Sequence, residues 1–359
     1  MSKRSLATVI ALTIAIGSIF AGPAQAKTSL KGAGSSYAFK FITTCGVNSP
    51  DYSVTYSSTG SGPGRTAFSN GSVDFGASDA PNTVSLSGTR TGGSYTYIPV
   101  VGGPITIMYN IAGIKSGQIR LDSNVVARIF SGKITKWNDP AIKALQTAAI
   151  KGKLPSASIR VAYRAANSGT SENFTDWMRQ TAPKVWTKAK NGTIAANNPG
   201  GRMPAGAIGA PNSQALVASV ISTKNAIGYA DLSDTLSSNG SARVSVAQIK
   251  NAAGAYVSPT SEAAGKFLEQ FFGRKNFNAA TGAVVLDYTK SIAGAYNLSL
   301  LTYAMADKGA STSKAQDVEN FVKYLLNTCG PTRAKNIGYT PISGELKTKA
   351  LALADAIRS

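Results

Sequence analysis

Apolar positions along the chain fall into two kinds of run. Short stretches rich in β-branched and aromatic residues read as strands: YSVTYSS (52–58), SVDFGAS (72–78), TYIPVVGGPITIMYN (96–110), SIRVAYR (158–164), AIGYADL (226–232) and LSLLTYAMA (298–306). Between them, stretches such as NVVARIFSG and QDVENFVKYLLNTCG place apolar residues at helical spacing. That alternation predicts an α/β fold with mainly parallel sheets. In such sheets ligands bind beyond the carboxyl ends of strands, beside helix N-termini. The stretch 191–213, NGTIAANNPGGRMPAGAIGAPNS, is rich in Gly, Pro and Asn and reads as a long loop with little helix. No fixed-period repeat is present.

Three strand-to-helix junctions concentrate hydroxyls and glycines. In KGAGSSYAFKFITTCG a glycine turn runs into Ser35 and Ser36, after which Tyr37, Phe41 and Cys45 recur every four residues on one helical face. In YSSTGSGPGR a strand feeds Ser61, Pro63 stands where a first helical turn can begin, and a further strand ends at Ser78-Asp79. In RAANSGTSENF the strand ending at Arg164 turns through Ser168, Gly169 and Thr170 into a helix. Phe174, Trp177 and Met178 form its apolar stripe and read as core. Ser168 and Thr170 can donate hydroxyl hydrogen bonds, and Gly169 lets backbone N–H groups face a ligand without a Cβ in the way. Arg164 brings a planar fork that matches a tetrahedral oxyanion. Taken together the junctions describe an anion pocket built of helix N-termini, although each serine also reads as an ordinary helix cap.

Asp79 does not fit a generic anion site. A carboxylate repels a bound anion unless the anion carries a proton that it can accept. Hydrogen phosphate carries one near neutral pH and sulfate carries none, so such an Asp rejects sulfate at a cost of about 1–3 kcal/mol or more. On the residues alone Asp79 also reads as a cap before Ala80-Pro81.

The N-terminus changes the compartment. Lys3 and Arg4, an apolar run from Leu6 to Phe20, and Ala24-Gln25-Ala26 are the three parts of a secretory signal, with cleavage expected after Ala26. A chain of 359 residues exceeds the usual single core and predicts two lobes. The net charge is +20, with lysines and arginines scattered and aromatics not interleaved with them, so anions are attracted but a nucleic-acid platform is not indicated. Histidine is absent and no GxSxG elbow occurs, which argues against a hydrolase, and no metal-ligand cluster or cofactor motif is visible. Cys45 and Cys329 can form a disulfide in an oxidising compartment, closing a long loop for about 4 kcal/mol on the chain-entropy estimate; two buried thiols are the alternative.

KGAGSSYAF, STGSGPG followed by VDFGASDAP, VGGPITIMYNIAG, IFSGKITKWNDPAI, RAANSGTSENF and AIGYADL occur in this order. In order and approximate spacing they resemble the PstS-type phosphate-binding proteins of the high-affinity phosphate ABC transporter. The resemblance implies a type II periplasmic-binding-protein fold with two α/β lobes joined by a two-crossing hinge. Lobe 1 would be 27–103 plus 293–359 and lobe 2 would be 104–292. It implies that Ser36 and Tyr37 contact phosphate from the first helix start and Ser61 from the glycine turn. Asp79 would accept the phosphate proton, and Arg164, Ser168, Gly169 and Thr170 would close as a clamp from the second lobe. Cys45 and Cys329 would share a lobe, which favours a disulfide between them. Where the family usually has Asp and Gly after the arginine, this chain has Ala166 and Asn167. Tyr37 replaces a usual Phe, and Ala38 a usual proline.

The expected function is capture of inorganic phosphate by an exported, monomeric protein of the periplasm or cell surface, with delivery to a membrane permease and no cofactor. The alternatives are the same fold serving another oxyanion or a surface adhesion ligand.

Overall fold

The computed structural model describes residues 26–81, 94–237, 240–273 and 275–359. The expected signal segment lies outside the described residues except for Ala26. Strand β1 (Thr28–Gly34) turns through the two serines into α1 (Phe39–Asn48), and β2 (Tyr52–Ser57) runs into α2 (Ser61–Ser69) and then β3 (Phe75–Ser78). The long β4 (Tyr95–Tyr109) is buried throughout except at Tyr95. After β5 (Arg120–Leu121) come α3 (Ser123–Phe130), α4 (Pro140–Leu145) and α5 (Ala148–Lys151). The Asp122 and Asp139 carboxylates cap α3 and α4 by accepting from the N–H groups of Val125 and Ala141.

Strand β6 (Arg160–Arg164) leads into α6 (Gly169–Thr181), β7 (Ile208–Ala210) into α7 (Ser213–Ser222), and β8 (Ala226–Asp231) into a 3₁₀ turn at Leu232–Thr235. Then follow β9 (Ser245–Val246), β10 (Gln248–Lys250), β11 (Tyr256–Val257) and α8 (Ser261–Leu268). The remaining elements are β12 (Ser299–Asp307), α9 (Ser313–Tyr324), α10 (Gly330–Arg333), β13 (Thr340–Pro341) and α11 (Gly344–Asp355). The Gly/Pro/Asn-rich stretch thus contains one short strand, β7, and ends on the first residue of α7.

The main sheet runs β2-β1-β3-β12-β4-β8-β6-β7. Its two flanks are parallel, β1 with β2 and β3, and β6 with β7 and β8. The spine between them is antiparallel, β12 with β3 and β4, and β4 with β8. This departs from the mainly parallel expectation for a topological reason. Parallel neighbours need a crossover, which α1, α2, α6 and α7 provide. Strands β4 and β12 instead connect the flanks, so nothing constrains them to the same direction. Strand β4 pairs with β12 from Tyr95 to Pro104 and with β8 from Ile105 to Tyr109, and so it belongs to both lobes. The chain is a two-lobe, type II periplasmic-binding-protein fold. Helix α8 is bound to the β13 end of the first lobe, where Ser261 Oγ donates to the Tyr339 carbonyl at 2.7 Å.

Trp177 and Met178 are buried, as their spacing predicts, in a cluster where Phe174 stacks on Tyr229 with ring centroids 4.4 Å apart. In the first lobe, α9 widens into a π-turn over Leu325–Cys329. Its last residue, Cys329, is bonded to Cys45 of α1 across 284 residues. Because this bond closes most of the chain into one loop, reduction or the pair Cys45→Ser/Cys329→Ser should lower the unfolding free energy by about 4 kcal/mol. Urea titration of the oxidised and reduced protein checks this; coincident transitions would contradict it.

Candidate functional site

Beyond the carboxyl ends of β1, β3 and β6, three helix N-termini converge. Helix α2 starts after Gly60, α6 after Ser168 and α7 after Asn212, whose side chain accepts from Ala215 N–H at 2.8 Å. Gly60 has φ +99, and its Cα faces both the Asn167 carbonyl and Arg164 Nη2, so a side chain is excluded on conformational and steric grounds. Gly169 is excluded by packing alone. A Cβ there would lie 2.4 Å from Ser61 Oγ and 2.8 Å from Asp79 Cβ.

Asp79 follows the last residue of β3 and is 3% exposed. Its Oδ1 accepts from Ser35 Oγ at 2.5 Å and Thr302 Oγ1 at 2.7 Å, and its Oδ2 accepts from Ser61 Oγ at 3.2 Å. Two carboxylate oxygens offer about four acceptor directions, so one remains on Oδ2, the oxygen nearest Gly169. Burial raises the carboxyl pKa above its ordinary value; hydrogen bonds from Ser35, Thr302 and Ser61 and the charge of Arg164 pull it back part of the way.

Arg164, the last residue of β6, is 1% exposed. Its Nη1 donates to Ser36 Oγ at 2.9 Å, Ser168 Oγ at 3.0 Å and Ser213 Oγ at 3.4 Å, and its Nη2 donates to the Pro211 carbonyl at 3.1 Å. Nε has no partner, nor do Thr170 Oγ1 and Asn167 Oδ1 in the same junction. Among the described residues no carboxylate lies within ion-pair distance of the guanidinium. Burial lowers its pKa, opposed by the charges of Tyr229, Asp79 and the Asp231–Asp234 pair; a guanidinium nonetheless stays charged. The backbone N–H of Arg164 donates to Tyr229 Oη at 3.2 Å, and that hydroxyl also bonds Ser171 Oγ at 2.6 Å.

The structure therefore brings Ser36, Ser61, Asp79, Arg164, Ser168, Gly169 and Thr170 to one place. The Tyr37 side chain is elsewhere. Its ring packs edge-on against Tyr339, and its hydroxyl points at Gly103 of β4, so only its main chain borders the first helix start. Thr302 and Ser213 join the site without having been expected. Thr302 lies inside a strand, where nothing local distinguishes it. Ser213 follows Asn212 just before the apolar run of α7, a fourth strand-to-helix junction with the signature of the other three.

Behind Ser213, two buried carboxyls face each other, Asp231 and Asp234. Gln214 Nε2 donates to both oxygens of Asp234, at 3.2 and 3.0 Å, and Ser233 Oγ donates to Asp231 Oδ2 at 2.7 Å. Burial and then the mutual charge raise Asp231 well above the usual carboxylate range, and burial pushes Asp234 up to about 6.

Chemically, a buried guanidinium ringed by hydroxyls and helix N-termini, with one free carboxylate acceptor opposite, suits a tetrahedral oxyanion that carries a proton. The fold and this cleft define an anion receptor of two lobes. Residues 21–328 match the family model described as a PBP superfamily domain. Phosphate-binding protein PstS 2 of Mycobacterium tuberculosis is 30% identical over 343 residues, 92% of this chain and 85% of that protein. PstS 3 of Mycobacterium leprae is 28% identical over 358 residues, 96% and 92% of the two chains. The structure of a phosphate-binding protein from Stenotrophomonas maltophilia, at 22% identity, shares the fold with a TM-score of 0.68 over 90% of this chain and 93% of that one. The chain belongs to the PstS-type phosphate-binding proteins of the periplasmic-binding-protein superfamily.

A carboxyl whose pKa is raised by folding binds its proton more tightly in the native state. Its stabilising contribution is full below the unfolded value and is lost as pH rises through the folded one. Asp79, Asp231 and Asp234 all act in this sense. The ligand-free protein should therefore melt at a higher temperature at pH 5 than at pH 8, with the Asp234 part of the loss complete just above about pH 6. Asp234→Asn should flatten the profile; an unchanged slope in thermal melts would remove the pair from the explanation.

Proposed function

We propose that the protein is exported and captures inorganic phosphate between its lobes for delivery to an ABC-type permease. The observation that carries this is the pairing of Asp79, with one free acceptor direction, and Arg164, with no carboxylate partner, from opposite lobes, each held by its own set of hydroxyls. The family's named relatives are phosphate-binding proteins, which supports the same reading. In it Arg164 clamps two phosphate oxygens. The hydroxyls of Ser168 and Thr170, and whichever of Ser36 and Ser213 keeps its hydrogen out of their mutual 3.0 Å bond, donate to the anion; Ser61 borders it while donating to Asp79, and the main chain at Tyr37 and Gly169 lines it. Asp79 accepts the phosphate proton. Thr302 and Ser35 hold that carboxylate in place.

Lobe 1 comprises 27–103 plus 293–359 and lobe 2 comprises 104–292 in this reading. The change of partner along β4 between Pro104 and Ile105 supports the first division; the bond from α8 to β13 draws part of the second segment onto the first lobe. Cleavage after Ala26 leaves β1, which starts at Thr28, intact. Among the described residues no helix is long and apolar enough to cross a membrane. Release and transfer need only hinge motion, so the protein acts as a monomeric receptor with no covalent step, no cofactor and no nucleic-acid partner.

Calorimetric titration of residues 27–359, stripped of anion, should give one-to-one binding of phosphate and arsenate and no response to sulfate. Arg164→Lys, which forfeits the bidentate fork, should weaken phosphate binding by about 100-fold. Asp79→Asn should narrow the preference over sulfate, because an amide can donate to an unprotonated oxygen. Sulfate binding as tight as phosphate binding in the parent would overturn the reading.

A further inference from the structure

Asn173 lies in the first turns of α6 and faces the site from behind. One of its Nδ2 hydrogens goes to the Gly169 carbonyl at 2.9 Å, the local bond a helical asparagine commonly makes. The other crosses to the first lobe and is donated to the Asp79 carbonyl at 2.7 Å. Asn173 Oδ1 accepts from Tyr288 Oη at 2.9 Å. Tyr288 is itself fixed from two sides. Its N–H donates to Gln180 Oε1 of α6 at 2.9 Å, and its ring stacks on Phe267 of α8 with centroids 5.7 Å apart. Its carbonyl accepts from Asn297 Nδ2 at 3.0 Å, just before β12 returns to the first lobe.

Three parts of the molecule therefore meet at one amide: the main chain of Asp79, the N-terminus of α6, and the segment leading to β12. Resting on the phosphate reading above, we infer that Asn173 is a positioning residue for capture. It touches no anion. When the lobes close it pins the Asp79 main chain against α6, so that the Asp79 carboxylate and Gly169 present a fixed separation to the ligand. Tyr288 orients the amide so that its N–H groups, and not its oxygen, face Asp79. The bond to Asp79 forms only on closure, so Asn173 acts on the lifetime of the closed complex. Encounter with the open form is unaffected.

The test is phosphate binding by the parent, Asn173→Leu, Asn173→Gln, Tyr288→Phe and the double variant Asn173→Leu/Tyr288→Phe, with stopped-flow rates and thermal melts of the anion-free proteins. Asn173→Leu is near in volume and removes the donors; it should raise the phosphate dissociation rate and Kd by about tenfold. The association rate should stay at the parent value, and so should the anion-free melting temperature of the double variant, which leaves no Tyr288 hydroxyl unpaired. Tyr288→Phe should give a smaller loss, the double variant should be no weaker than Asn173→Leu alone, and Asn173→Gln should recover part of the affinity. Parent-like dissociation from Asn173→Leu, or a loss matched by a lower anion-free melting temperature of the double variant, overturns the inference and leaves the phosphate reading standing. A parent that fails to bind phosphate removes the reading and the inference together.

Discussion

Arg164 is a fixed positive charge taken out of water, and the rest of the cleft is arranged around it. Isolating a cation in a protein interior is costly unless polar groups replace its hydration. Here the replacements are three serine hydroxyls and one carbonyl, drawn from β1–α1, β6–α6 and β7–α7. None of them carries charge, so the guanidinium is solvated but not neutralised. A hydroxyl that accepts from a guanidinium can still donate its own hydrogen elsewhere. Ser36 and Ser213 spend one hydrogen on each other at 3.0 Å, so the ring serves the cation and leaves two of its three hydrogens to offer an anion. Tyr229, stacked on Phe174, fixes the main chain at the end of β6 so that the fork cannot swing away.

Asp79 obeys the same accounting with the sign reversed. Three hydroxyl donors solvate the carboxylate from Ser35, Ser61 and Thr302, all in the first lobe. The cation is thus solvated mainly by the second lobe and the anion by the first, with Ser36 reaching across. Closure brings the two into one field. This division requires that one element run unbroken through both lobes, and β4 does so by exchanging β12 for β8 at Pro104–Ile105. The disulfide holds α1 to the C-terminal segment, so the lobe bearing Asp79 is tied together at its two chain ends.

Local pattern revealed the parts of the site that sit at the starts of helices, because capping residues and glycine turns have short-range signatures. Ser36, Ser61, Ser168, Gly169 and Thr170 were legible for that reason, and Arg164 and Asp79 by their position at strand ends. Thr302 was not: it meets Asp79 only through the pairing of β12 with β3 and β4, a contact spanning 223 residues. Ser213 was hidden by the Gly/Pro/Asn-rich stretch before it, which masks the strand β7 that makes its junction recognisable. Tyr37 borders the first helix start through its main chain, while its ring goes to Tyr339. The antiparallel spine was likewise invisible, since strand direction follows from connections between lobes and not from the pattern within a strand.

The missing partner of Arg164 is a difference of composition with an electrostatic consequence. Position 166 carries Ala and position 167 Asn, and the Asn167 side chain lies against Gly62 and Gly192 instead of the guanidinium. Arg164 and Asp79 oppose each other across the cleft, and the Asp231–Asp234 pair behind Ser213 also acts on the guanidinium. Three helix N-termini add a positive field, each equivalent to roughly +0.5 elementary charge before capping and screening. The open acceptor direction on Asp79 suits an anion that keeps one proton. With Ala at 166, Arg164 is left to Ser36, Ser168, Ser213 and the Pro211 carbonyl, and its charge is available to a ligand.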